Sequence, residues 1–296
     1  MEAFPASFRA SESPFFSPLS LNGEIPKPED FAELLRRRGL YPCGFAGDAA
    51  HSMKNGTSGF FANPAARAEI LQTNATTILA FKFNDGVLVA GDRRATAGNI
   101  VVYDRADKVL EIDTHSLMAI AGVPATAWEM ARVLEHSFQF YRRSQLQEMS
   151  LDGKVRALSK LLRDNFGFVM QGVGIVVPLF ATFDVLNDAP RLYFYDAMGA
   201  QFEATDYAAS GSGSPAVRSV LHYENTWGKK PLRKLGRDEA VVIALRALDT
   251  AAESDTATGG VDRRARVFPI VKIVSRDGIA TLEEKKLART FKQKVS

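Results

Sequence analysis

The predicted fold class is α+β, with two mainly antiparallel sheets sandwiched by helices. Two observations carry it. From residue 76 onward the elements run as strands, two helices, strands, two helices, strands. Runs of this kind, rather than strict alternation, mark α+β architecture. Two turn signals, Asn84-Asp85-Gly86 and Asp277-Gly278, each sit between apolar runs, the pattern of a β-hairpin. With 296 residues and 46% hydrophobic content, the chain can bury the core such a fold needs.

Residues 1–27 are rich in Ser, Pro and Phe and show no period, which predicts irregular chain. Residues 28–39 predict a short amphipathic helix, with Glu29 and Asp30 in its first turn. Arg36, Arg37 and Arg38 lie in its last turn and Gly39 stops it, matching the charge preferences of helix ends. Loop chemistry returns over 40–75, with Gly44, Gly47, Asn55-Gly56 and Asn63-Pro64. At Thr76 the texture changes. Strands are predicted over 77–83, 87–91, 100–103, 108–112 and 117–121. A helix over 125–143 carries apolar Trp128, Met130, Ala131, Val133 and Leu134. A second, over 150–166, carries Val155, Leu158, Leu161 and Leu162. Strands follow at 178–185 and 191–196, and another runs into Gly211-Ser212-Gly213-Ser214. Helices are expected at 215–223 and 237–252, then a hairpin from 267–274 and 279–282, then a charged helix.

Net charge is +3 and the basic residues are scattered, so nothing argues for nucleic acid as a partner. Cys43 is the single cysteine and lies before Thr76. A chain beginning at Thr76 would have neither disulfides nor cysteine-ligated metal. The four histidines, His51, His115, His136 and His222, show no paired metal spacing. Neither metal nor organic cofactor is expected. No apolar run approaches the roughly 20 residues that span a bilayer, so no membrane role is expected. The first residues lack the basic and apolar regions of a secretory signal, and the expected location is the cytoplasm.

There is no Gly-x-Ser-x-Gly elbow, His-Glu-x-x-His, P-loop or dinucleotide fingerprint. A hydrolase can instead use a threonine hydroxyl activated by the same residue's α-amine. That amine has a reference pKa of about 7.7–8.0, against about 10.4 for lysine, so it can act as a base near neutral pH. Exposing it requires cleavage of the Ala75–Thr76 bond. A nearby lysine disfavours protonation of the amine and stabilises developing negative charge. A buried lysine needs an anion in turn. Asp92 and Lys108, 16 and 32 residues beyond Thr76, stand at strand boundaries and are the candidates. Taken singly, either is more often a solvated surface charge.

Thr76-Thr77-Ile78, Gly91-Asp92-Arg93-Arg94-Ala95-Thr96, Lys108-Val109 and Ala119-Ile120-Ala121-Gly122 together resemble the opening of a proteasome β-subunit. Gly211-Ser212-Gly213-Ser214 and Ser254-Asp255-Thr256-Ala257-Thr258-Gly259-Gly260 also resemble that family. The similarity spans residues 76–283, and the 31–38 stretch resembles the pro-region helix of actinobacterial-type members.

This resemblance implies the four-layer αββα sandwich of N-terminal-nucleophile hydrolases. It implies a pro-region at 1–75, removed on maturation, and a catalytic domain at 76–296. Thr76 would supply hydroxyl and amine, with Asp92 and Lys108 as its charge partners and the Gly122 N–H facing the oxyanion. Ser212, Asp255 and Thr258 would form a hydrogen-bonded shell near the amine, with Arg94 beside it. Ala95, Ala106, Ile120, Pro124 and Trp128 would line an apolar substrate pocket, a chymotrypsin-like preference. The implied partners are α-subunits and other β-subunits in stacked heptameric rings, a regulatory ATPase ring bound through the α-rings, and unfolded protein substrates. The family usually has glycine before the nucleophile, where this chain has Ala75, and slower processing is expected. The alternatives are a non-catalytic ring component and another N-terminal-nucleophile amidase.

Overall fold

The computed structural model describes residues 76–97, 100–172, 174–261 and 267–295. Ala75, the helix expected at 28–39 and the loop chemistry around it lie outside the described residues. The first strands are β1 (Thr77–Phe83), β2 (Gly86–Gly91), β3 (Ala95–Ala97), β4 (Ile100–Tyr103), β5 (Val109–Asp113) and β6 (Ser116–Ala119). Helices α1 (Pro124–Gln145), α2 (Leu151–Asp164) and α3 (Phe166–Val169) follow. Next come β7 (Leu179–Asp184), β8 (Ala189–Tyr195), β9 (Gln201–Glu203) and β10 (Tyr207–Gly211). Helices α4 (Ser214–Trp227) and α5 (Arg237–Ser254), strands β11 (Ile270–Ser275) and β12 (Gly278–Thr281), and helix α6 (Glu284–Lys294) complete the order.

Among the described residues the strands form two five-stranded sheets, β10-β1-β2-β11-β12 and β5-β6-β7-β8-β9, and a β3-β4 ribbon. Every strand pair within them is antiparallel. Side chains alternate across a strand, and β1 uses both faces. Ile78 and Ala80 enter the layer between the sheets, with Val87, Val89, Leu117, Ala119, Leu179 and Ala181. Leu79, Phe81 and Phe83 face the other way, onto Leu221, Ala244, Leu248 and Leu287 of α4, α5 and α6. The second sheet turns Met118, Ile120 and Phe180 toward Ala127, Met130 and Leu134 of α1 and Leu158 and Leu162 of α2. Helices therefore cover both outer faces, giving the expected αββα order. Strands buried on both faces read as continuous apolar runs, as β1 and β2 do.

Local signals account for the boundaries. Ser150 caps α2 by accepting the Gly153 N–H at 3.2 Å. The Glu239 carboxylate, in the first turn of α5, accepts the Gly236 N–H at 2.9 Å. Helix α1 differs from its reading. Ala127, Met130, Ala131, Leu134 and Phe138 form its buried stripe, while Trp128 and Val133 lie off it and are 43% and 38% exposed. The short elements β3, β9 and α3 also go beyond the reading, each being too brief for a period to register.

Candidate active site

Thr76 immediately precedes β1 and is buried. Antiparallel pairing decides its neighbours. Ile78 faces Gly91 at the end of β2, and Thr77 faces Gly211 at the end of β10. The turns leaving those two strands therefore flank Thr76. From β10, the Ser212 N–H donates to the Thr76 carbonyl oxygen at 3.1 Å. Gly211 allows this approach: its φ is +95°, and a Cβ there would stand 1.7 Å from that oxygen.

From β2 comes Asp92, whose side chain is fully buried. Its Oδ1 accepts the Thr77 N–H and the Lys108 ammonium, each at 2.7 Å. Its Oδ2 accepts the Arg94 and Gly259 N–H groups, each at 2.9 Å. Four donors on one carboxylate offset a desolvation cost of several kcal/mol for the ion. Lys108 directly precedes β5, in the second sheet, and its backbone oxygen takes the N–H of Ile120, the residue just after β6. The 2.7 Å pair with Asp92 thus joins the ends of the two sheets. Lys108 Nζ also donates to the Arg94 carbonyl. Burial holds its pKa below the usual lysine value, against the opposing pull of the Asp92 charge and hydrogen bond.

A second network lies on the β10 side. Asp255 caps the C-terminus of α5, and its Oδ2 accepts the Ser212 hydroxyl at 2.6 Å and the Thr258 hydroxyl at 2.5 Å. Burial works against the Asp255 charge. The bonds from Ser212 and Thr258, then the Ala257 N–H and the Arg94 cation, outweigh it and hold the carboxyl below the usual range. Thr258 Oγ1 also lies 2.5 Å from Thr77 Oγ1, which accepts the Gly213 N–H at 2.9 Å. Arg94 spans the 255–259 loop, donating from Nη1 to the Thr256 and Thr258 carbonyls at 2.9 and 3.3 Å.

Gly122 follows β6 with φ +110°, and a Cβ there would meet the Ile175 carbonyl at 2.0 Å. Its bridge to Val176 is closed by Val123 N–H to Ile175 O and Val177 N–H to Ala121 O, both 2.8 Å. Those bonds leave the Gly122 N–H out of the bridge. Of the residues expected to line a substrate pocket, Ala106 and Ile120 are buried, and Ala95 and Pro124 are half-buried. Trp128 lines a groove of about 320 Å³ beside Leu110 and Ala131, with Asp107, Glu111, Arg132, Glu135 and Lys272 around it. That lining is more charged than the apolar pocket expected.

Sequence reasoning passed over Thr77, Gly213 and Gly259. Thr77 touches Asp92 through its N–H and Thr258 through its hydroxyl. The signal was the Thr76-Thr77 pair, ordinary as strand composition. Gly213 and Gly259 are set by space: a Cβ would come within 2.6 Å of Thr77 Oγ1 at the first and 2.8 Å of Arg94 Cβ at the second. Among the described residues no cluster of three His, Cys, Asp or Glu is placed to hold a metal. None of their helices is long and apolar enough to cross a membrane.

The arrangement is a threonine at a strand start, beside a buried Lys–Asp pair and a hydroxyl–carboxylate network. Known proteins carry related sequences. The chain is 38% identical over 261 residues to the proteasome subunit beta 2 of Thermomonospora curvata, covering 87% of this chain and 85% of that one. It is 38% identical over 215 residues to the proteasome subunit beta of Jonesia denitrificans, covering 73% and 69%. With the proteasome subunit beta of Streptomyces griseus it shares 36% identity over 232 residues, covering 77% and 80%. The proteasome subunit family model matches residues 72–266, a span that takes in Thr76, Asp92, Lys108, Ser212, Asp255 and Thr258. The chain therefore belongs to the proteasome subunit family.

Proposed function

We propose that this chain is a β-type subunit of a proteasome core particle and a threonine-type endopeptidase, made as a precursor whose residues 1–75 are removed. The observation that carries the reading is the double use of Asp92 Oδ1. It holds the N–H that follows Thr76 and the Lys108 ammonium on one oxygen, each at 2.7 Å. A buried cation is thereby set against the residue whose amine has to stay neutral.

In this reading the Thr76 hydroxyl attacks a substrate carbonyl, and the freed α-amine takes its proton, directly or through water. The Gly122 N–H faces the oxyanion, and the Lys108 charge stabilises it. Collapse of the tetrahedral species expels the substrate amine, which receives the proton held by the α-amine, and leaves an ester on Thr76, which water hydrolyses. Ser212, Asp255 and Thr258 hold the amine, and Arg94 braces their loop. Ala95, Ala106, Ile120 and Pro124 receive the side chain before the cut. The substrates are unfolded proteins. The partners are α-subunits and further β-subunits in heptameric rings, with a regulatory ATPase ring docking through the α-rings, in the cytoplasm.

Intact mass before and after mixing with the α-subunit tests this. The expected pair of results is loss of residues 1–75 with peptidase activity in the wild type, and retention without activity in Thr76→Ala. Retention in the wild type, or cleavage in the variant, refutes self-processing by Thr76.

A further inference from the structure

Proton accounting fixes the direction of the hydroxyl chain beside Thr76. Asp255 is ionised at neutral pH, since its carboxyl lies below the usual range. A carboxylate only accepts, so Ser212 and Thr258 both donate to it. A hydroxyl carries one proton, and that of Thr258 is committed. At the 2.5 Å contact between Thr258 and Thr77, Thr77 is therefore the donor. The Gly213 N–H in turn donates to Thr77 Oγ1. The chain runs one way: Gly213 N–H to Thr77 hydroxyl, to Thr258 hydroxyl, to Asp255 carboxylate.

Thr77 also carries the backbone connection. Its N–H belongs to the peptide unit whose carbonyl is that of Thr76. That carbonyl accepts from Ser212, and the N–H donates to Asp92. The peptide plane after Thr76 is thus held at both ends, one by the turn after β10 and one by the turn after β2. The side chain of the same residue is tied to the 255–259 loop. Thr77 is fully buried.

On the reading of Thr76 as nucleophile, on which this rests, we infer that the Thr77 hydroxyl is a positioning group. It couples the Asp92–Lys108 pair to the Ser212–Asp255–Thr258 network and so fixes the rotation of the Thr76 main chain. Removing the hydroxyl orphans the buried Gly213 N–H and takes from Thr258 Oγ1 the donor that ties it to β1. A misplacement of about 1 Å in such a site costs on the order of 100-fold in rate. The effect falls on turnover and spares substrate binding, because Thr77 lies behind the nucleophile.

The test uses the full-length chain assembled with its α-subunit, with turnover of a fluorogenic apolar peptide expressed per Thr76 freed, as counted by intact mass. Thr77→Val keeps the shape without the hydroxyl, and its kcat is expected to fall roughly 10- to 100-fold with KM within about 2-fold. Thr77→Ser keeps the hydroxyl and is expected to stay within about 3-fold of wild type. If Thr77→Val does not assemble, Thr77→Cys replaces it, since a thiol is a poor donor of similar size. Full kcat in Thr77→Val, or in the Thr77→Cys that replaces it, overturns the inference. Equal losses in Thr77→Val and Thr77→Ser also overturn it, because the methyl packing would then be what matters. Thr76→Ala separates the two levels. If this variant, measured per assembled chain, retains turnover, the nucleophile reading fails. If it is inactive while Thr77→Val is fully active, only the role of Thr77 fails.

Discussion

Lys108 and Asp92 meet at 2.7 Å with 4% and 0% of their side chains exposed, one at the head of the second sheet and one at the tail of the first. A pair this deep contributes little net stability, but breaking it strands a charge. Asp92 is the more consequential partner, because three backbone N–H groups also rely on it.

Asp92→Asn keeps the volume but loses the charge, and one of its two donor-facing positions becomes an NH2. The substitution leaves Lys108 buried against it. A loss of about 3–5 kcal/mol is expected, the range for a buried pair deprived of one member. Urea unfolding of the purified chain measures it. A change below about 1 kcal/mol, the scale of a surface pair, would show that the pair is not sealed as described.

Gly211 and Gly172 make a matched comparison. Both have positive φ, at +95° and +73°. A Cβ at Gly172 meets nothing within 4 Å, whereas at Gly211 it meets the Thr76 oxygen at 1.7 Å. Gly172→Ala is expected to carry only the backbone penalty, about 1–2 kcal/mol. Gly211→Ala adds displacement of the Thr76 carbonyl and is expected to abolish removal of residues 1–75. Thermal melts and intact mass of the two variants check the contrast. Equal behaviour would mean that the β10 turn does not set the position of Thr76.

How much of this was legible in the sequence depended on range. The hairpin between β1 and β2 was readable because Asp85-Gly86 forces a turn between apolar runs, and β11 and β12 followed from Asp277-Gly278 in the same way. The family motifs pointed to Asp92, Lys108, Ser212, Asp255 and Thr258, and the structure brings these together. Thr77 was missed because its importance lies in contacts with residues up to 181 positions away, which no local pattern encodes. Trp128 was read as part of an apolar pocket, yet it shares a groove with Glu111, Glu135 and Lys272. Those neighbours come from β5, α1 and β11, so the polarity of that groove is a property of packing. The residues before Thr76 carry only a helix pattern and loop chemistry.

Asp255 gives a pH dependence whose sign follows from its shift. Its folded-state pKa is depressed, so the unfolded chain binds the proton more tightly. The stability it contributes is complete above the ordinary aspartate value of about 3.9. It is lost as pH falls through the folded value. Asp255→Asn removes the dependence. The melting-temperature difference between wild type and variant is expected to be constant at neutral pH and to shrink below about pH 4. A difference that stays constant through the acid range would mean that Ser212 and Thr258 do not bind the ionised form.

In the proposed maturation, residue 75 is expected to set how readily Thr76 is uncovered. In the proposed processing step the Thr76 hydroxyl adds to the Ala75 carbonyl carbon, its proton passes to the Thr76 nitrogen as the C–N bond breaks, and the acyl group stays on the side-chain oxygen as an ester. Water then hydrolyses the ester, leaving a carboxylate on residue 75 and a free amine on Thr76. The carbonyl has to turn its face toward a hydroxyl oxygen three bonds beyond the peptide nitrogen, which would twist the backbone at residue 75. The Thr76 carbonyl oxygen accepts the Ser212 N–H, and in this proposal the twist is taken up before Thr76. Alanine has a Cβ that resists left-handed conformations by about 1–2 kcal/mol, and glycine does not. At 1.36 kcal/mol per tenfold in rate, Ala75→Gly is expected to speed processing roughly 5- to 30-fold. A time course of intact mass after mixing with the α-subunit reads it directly. Peptidase activity per freed Thr76 is expected to be unchanged, because residue 75 has left by then. Equal rates for the two chains would place the slow step in assembly, with the backbone at residue 75 no longer the barrier.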